Sequence, residues 1–154
     1  MGILDEIGDQ AASTEGMLKQ EAAASREAEI LRRLKKGCPA FTAFAFIGVL
    51  IPYIGWGITL SIFLFFATVP SSLNPRKAGS EAFTLGVFYA FFLFFASWLA
   101  GVIVGDSGLR DGMLFGLGVA ILCAIGQARN CWNIRKWERT AQKTVEFIAS
   151  QKEI

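Results

Sequence analysis

Phe41 to Val69 is an apolar run without a single charge, and what the chain can fold into turns on how that run is broken. As one straight helix its roughly 29 residues would measure about 43 Å, against a bilayer core of about 30 Å. Fitting it as one span would need a tilt of about 45°, outside the usual range. Its midpoint reads Pro52-Tyr53-Ile54-Gly55-Trp56-Gly57. Proline removes a helical hydrogen bond, glycine loosens the backbone, and Tyr and Trp favour a membrane–water boundary. The pattern predicts a helical hairpin over 39–69 with its turn at Pro52, Tyr53, Gly55, Trp56 and Gly57. A single proline-kinked span is the alternative.

Two further uncharged runs follow. Ala82 to Val104, about 23 residues, is long enough for one crossing, and Gly112 to Ala128, about 17, is at the short limit. The first carries Phe83, Phe88, Phe91, Phe92, Phe94, Phe95 and Trp98 all round a helix, as expected of a surface facing lipid or neighbouring helices. In the second, Gly108, Gly112, Gly116, Ala120, Ala124 and Ala128 recur at every fourth position. Such a small-residue stripe lets another helix approach closely, from the same chain or a different one. Between the runs, Pro70 to Glu81 reads as a loop with two prolines, and Gly105 to Asp111 as a short turn.

The ends are polar. Residues 3–36 are rich in strong helix formers, with Glu15–Lys19 and Glu29–Arg33 spaced to pair along a helix. Arg32, Arg33, Lys35 and Lys36, then Gly37 and Pro39, mark a helix stop. Ala24, Ala28 and Leu31 form a thin apolar seam, with Leu34 beside it. After Arg129 the chain is basic and amphipathic, with Ile134, Trp137, Ala141, Val145 and Ile148 at helical spacing. Trp132 and Trp137 are placed as interfacial anchors. This segment suits an in-plane surface helix, or a straight extension of the last span packed on the N-terminal helix.

The Lys and Arg distribution separates the topologies. Under the hairpin arrangement, fourteen of the 15 basic residues fall on one side and only Arg110 on the other. Under three spans the two sides carry nearly equal numbers, which is no bias. The expected fold is therefore all-α and integral to a membrane. A helical hairpin (39–69) and two transmembrane helices (82–104 and 112–128) give four membrane segments. An N-terminal cytosolic helix (1–38) and a C-terminal basic amphipathic helix (129–154) flank them, with both termini cytoplasmic in a plasma, inner or organelle membrane. With legs of only about 15 residues, the hairpin either crosses with local thinning or is re-entrant.

Composition narrows the function. Apolar content of 53%, mean hydropathy +0.45 and 14 Phe belong to polytopic membrane proteins. A net charge of +2, concentrated at the ends, does not make a nucleic-acid surface. The absence of His removes the commonest metal ligand and general base. Cys38, Cys123 and Cys131 lack CxxC spacing, so neither a disulfide framework nor a zinc site is expected. Cys38 and Cys131 sit where palmitoylation is conceivable, though ordinary buried cysteines are the plainer expectation. The polar N-terminal tail does not resemble a cleavable signal, and Glu6 departs from the myristoylation pattern. No ionisable side chain lies inside the three apolar runs, which argues against a pump or proton-coupled carrier. No enzyme, cofactor or metal is expected. The partners expected are the lipid bilayer and either other membrane subunits or further copies of this chain. The leading expectation is a non-enzymatic subunit or assembly factor of a membrane complex; the alternatives are a holin-like homo-oligomeric pore and a membrane-shaping hairpin protein.

Overall fold

The computed structural model describes residues 2–72 and 74–152, with side chains for 15–70 and 74–151. All regular structure among them is helical: α1 (Gly2–Val49), α2 (Ile54–Ser72), α3 (Pro75–Val104) and α4 (Asp106–Lys152). Each helix packs beside α2 or α4, and α2 and α4 also touch each other. α1 and α3 lie apart on opposite sides of that central pair.

The apolar run 41–69 is broken into a hairpin, a few residues earlier than the sequence suggests. Leu50 N–H donates to the Ile47 carbonyl (3.0 Å) and Ile51 N–H to Gly48 (3.2 Å), tightening the last turn of α1. Pro52 cannot continue the helix, and Tyr53 takes a left-handed φ of 57°, with Ile54 N–H closing back on the Pro52 carbonyl at 2.7 Å. Gly55, Trp56 and Gly57 are therefore not in the turn. They form the first turn of α2 and are buried.

The helix stop expected at Gly37 and Pro39 is overridden: α1 runs through both. An interior proline costs roughly 3 kcal/mol through its missing N–H and its clash with the preceding turn. Burial around it, at Leu31, Leu34 and Cys38 before the proline and Ala45 after it, offsets that cost. Leu31, Leu34 and Cys38 pack with Phe66, Val69, Ala78, Cys131 and Ile134 in one cluster. The loop expected over 70–81 also contracts. α2 passes through Pro70, and α3 starts at Pro75, where a proline at the first helical position gives up no bond. Asn74 caps α3 by accepting Lys77 N–H at 3.3 Å. Leu73, which the sequence also places in that loop, lies outside the described residues. The second turn reduces to Gly105 (φ 85°), whose N–H bonds the Gly101 carbonyl at 3.0 Å, and Asp106 then sits favourably at the N-terminus of α4.

The last apolar run and the basic C-terminal segment are one helix, so the in-plane alternative gives way to the straight extension. Nothing after Gly126 breaks α4. Its inward positions Cys131, Ile134, Glu138, Ala141, Val145 and Ile148 alternate spacings of three and four residues, a coiled-coil seam. The matching α1 positions are Ala24, Ala28, Leu31, Leu34 and Cys38. Trp137 is off this seam, and Glu138 occupies the buried place instead, because Lys35 pairs with it at 2.8 Å. The expected helical pairs Glu15–Lys19 (2.6 Å) and Glu29–Arg33 (2.7 Å) are present. The Arg33 guanidinium holds the Glu29 carboxyl below its usual range.

α3 and α4 are long and apolar enough to cross a membrane, while α2 carries a shorter apolar stretch. In a soluble core helix such windows would be mostly buried; here only 11% of the α3 window and 22% of the α4 window are. The two hairpins differ in height. The Tyr53 ring meets Phe94 at 5.4 Å, yet α3 continues from there to Val104, about 15 Å further along the axis.

Candidate functional site

The small-residue stripe is used inside the chain. A Cβ on Gly112 would meet Ser97 Oγ at 2.7 Å, and one on Gly108 the Ala100 carbonyl at 2.7 Å, so α3 and α4 touch nearly backbone to backbone. On Gly116 it would meet the Trp56 ring at 2.6 Å and Leu93 at 3.0 Å. Ala120 and Ala124 are buried. Ala128, at the end of the register, is exposed. Four residues turn a helix by about 400°, so a strict four-residue repeat drifts about 40° per step and winds out of the contact. The inward place passes to Gln127, which is fully buried, while Gly126 lies against Phe63.

The hairpin residues serve the same purpose. Trp56 fills the middle of the bundle with Leu93 and Ala120. Its indole N–H donates to the Val49 carbonyl at 3.0 Å, satisfying an acceptor left free at the end of α1. A sequence-level preference of Trp for the interface is overridden by this bond and by the space that Gly116 leaves. Gly55 faces Gly48 across α1 and α2, and Gly57 faces Gly86 across α2 and α3. Gly48 and Gly86 were not singled out by spacing, since their partners lie on other helices. Thr59 joins the same two helices: its buried hydroxyl lies 2.9 Å from the Ala45 carbonyl of α1 and 2.9 Å from the Gly55 carbonyl of its own helix. Ser61, Thr68 and Thr84 bond back to their own helices, as hydroxyls in apolar helices commonly do.

Trp56→Phe tests the indole bond alone. It should lower stability in detergent micelles by about 1–3 kcal/mol, the cost of orphaning a buried carbonyl, whereas Trp56→Ala should cost about 3–5 kcal/mol. An unchanged unfolding midpoint for Trp56→Phe would mean that the bond holds nothing.

Trp132 (72% exposed) and Trp137 (44%), expected from the sequence to be interfacial anchors, both lie on the outer surface of α4, just beyond its apolar half. Trp132, Arg135, Lys136, Arg139 and Lys143 line a shallow basic depression of about 420 Å³.

Chemistry-bearing side chains meet at one place, between α1 and α4. Cys38 and Cys131 are both buried there with free thiols. Thr42 Oγ1 lies 3.3 Å from Cys131 Sγ, and the Gln127 amide nitrogen donates to the same sulfur at 3.6 Å. Burial, followed by the adjoining Cys131 thiol, pushes the Cys38 thiol well up from its ordinary value, against a smaller opposite pull from Arg135. Among the described residues, no three His, Cys, Asp or Glu side chains converge. No protein-family model matches the chain, and no curated protein or solved structure matches it either.

Proposed function

We propose that the chain is an integral membrane protein of four membrane segments, with both termini cytoplasmic, acting as a non-catalytic subunit or assembly factor of a larger membrane complex. The observation that carries this reading is α3, whose Phe83, Phe88, Phe91, Phe92, Phe95 and Trp98 are all exposed. The small-residue stripe is occupied within the chain, so this bulky face of α3 is what remains for lipid and for neighbouring subunits. A homo-oligomeric pore, the alternative, would have to be lined between copies of the chain, because the middle of the single bundle is filled by Trp56 and Leu93.

The first hairpin is re-entrant in this reading. Its tip sits below the α3–α4 turn, since Tyr53 meets α3 at Phe94, and its residues Leu50 (81% exposed) and Ile54 (71%) are apolar, with Leu50 and Pro52 sharing a hollow with Asp106 and Arg110. Membrane shaping is a second reading supported by the same shortness, because the hairpin adds helix volume mainly to one leaflet.

Mild detergent extraction with quantitative mass spectrometry tests the role. Foreign membrane proteins should co-purify in fixed ratio; a ring of identical chains alone would overturn the subunit reading. Orientation is tested separately with a membrane-impermeant thiol reagent on a cysteine-free background. Among Ser25→Cys, Ser107→Cys and Ser150→Cys, only position 107 should label in intact cells. Labelling at 150 but not at 25 would restore an odd number of crossings.

A further inference from the structure

We propose that Cys38 and Cys131 form a two-coordinate site for a soft monovalent metal ion of the copper(I) class. The two cysteines belong to one buried cluster between α1 and α4 and both line a cavity of about 240 Å³, together with Pro39, Thr42, Ala128, Trp132 and Arg135. The cavity gives a small ion a way in.

The surroundings of the sulfurs decide what the pair is for. A cysteine used only as a small apolar side chain has carbon around it. Cys131 Sγ instead has a hydroxyl at 3.3 Å and an amide N–H₂ at 3.6 Å, both able to donate to it. Gln127 is fully buried, and its carbonyl oxygen has no partner among the described residues. An amide left half-satisfied in this position is costly for packing alone, and it is the kind of outer group that orients and polarises a metal-bound thiolate. Arg135 adds a fixed positive charge at the cavity wall.

Ligand number then selects the ion. Zinc takes four protein ligands in closed sites, and among the described residues no third His, Cys, Asp or Glu joins the pair. Hard cations want oxygen shells of six or more. Two thiolates with no other strong ligand suit a soft ion that accepts linear coordination. Binding exchanges the two thiol protons for one cation, giving a sulfur–metal–sulfur unit of net charge −1 and releasing two protons to solvent. The guanidinium of Arg135 and the donors Thr42 and Gln127 compensate that residual charge. No electron is transferred, so no oxidant is needed. Cys38 is fully buried, which also keeps it from the direct attack by which thiols are oxidised.

The test is an anaerobic titration of the full-length protein in lipid nanodiscs, with copper(I) held in competition with a chromophoric chelator and silver(I) as a second probe. One ion per chain is expected, with X-ray absorption at the copper edge showing two sulfur neighbours and no other strong ligand. Zinc(II) should not compete. Cys38→Ser and Cys131→Ser should each fall from one ion per chain to none at the same chelator concentration, and Cys123→Ser should keep its ion. Circular dichroism without metal checks that the variants fold; should they not, the two-sulfur shell of the unaltered chain decides. Failure of the unaltered chain to retain either ion, a shell without two sulfurs, or equal retention of zinc(II) overturns the site.

Discussion

A chain carrying Gly86→Leu should not accumulate as a folded monomer in detergent. A Cβ at position 86 would run into Ser61 Oγ and the Gly57 carbonyl, and a Cβ at position 57 would meet the Gly86 carbonyl at 2.6 Å and Ala90 Cβ at 2.7 Å. The obstruction is mutual and is made by backbone. Ser61 cannot simply swing aside without losing its own 2.8 Å bond to the Gly57 carbonyl, and that carbonyl moves only if α2 moves. Overpacking usually costs about 1–3 kcal/mol and more where the neighbours cannot relax, so this site belongs at the upper end. Gly116→Leu should also destabilise, but its obstacles are the side chains of Trp56 and Leu93. The internal control is Gly118→Ala. Nothing lies within 4 Å of a Cβ there, so the gain in helix preference should stabilise by about 0.5–1 kcal/mol. Size-exclusion profiles and thermal midpoints of the three variants check the order. An unperturbed Gly86→Leu would show that α2 and α3 do not pack this closely.

That contact marks the boundary of what the sequence discloses. Spacing rules see residues that share a helix, so the stripe from Gly108 to Ala124 was legible on α4, and so was the seam at Ile134, Ala141, Val145 and Ile148. The Gly48–Gly55 and Gly57–Gly86 pairs bridge helices, and no spacing within one helix points to them. Cys38 and Cys131 are brought together the same way, by the return of α4 alongside α1. The turn at Pro52 was legible because three signals agreed there: a proline, the length of the uncharged run, and the basic residues on either side of it. At Pro39 and Pro70 a proline stood with loop-forming or helix-stopping neighbours, yet the helices pass through. A helix stop is a local cost of a few kcal/mol, and flanking residues as buried as Leu34, Cys38 and Val69 outweigh it. Trp137 and Glu138 were exchanged for a related reason. Hydropathy ranks Trp as the inward residue, but only a partner on the facing helix tells that a carboxylate can be buried.

The pairing of that carboxylate leads to an asymmetric result. Lys35→Met should destabilise the chain more than Glu138→Leu does, and the double variant should recover most of the loss. The Glu138 side chain is 4% exposed in the α1–α4 seam, while Lys35 is 43% exposed. Removing the lysine leaves a buried carboxylate whose remaining partner among the described residues is Gln142, whose amide nitrogen donates at 3.1 Å. Breaking a buried pair in this way costs about 3–5 kcal/mol, and the partial access of water around Lys35 places the effect at the lower end. Removing the glutamate is milder, because the freed ammonium turns outward on its flexible stem and leucine fills the seam. Replacing both removes the desolvated charge altogether, which is commonly neutral or stabilising for buried pairs. Thermal unfolding of the two single variants and the double variant in the same detergent closes the cycle, and limited proteolysis near residues 25 and 145 reports whether the α1–α4 extension opens. A Lys35→Met variant as stable as the parent, beside a badly destabilised Glu138→Leu, would mean that Glu138 is held by something other than Lys35 and that the two helices do not meet in this register.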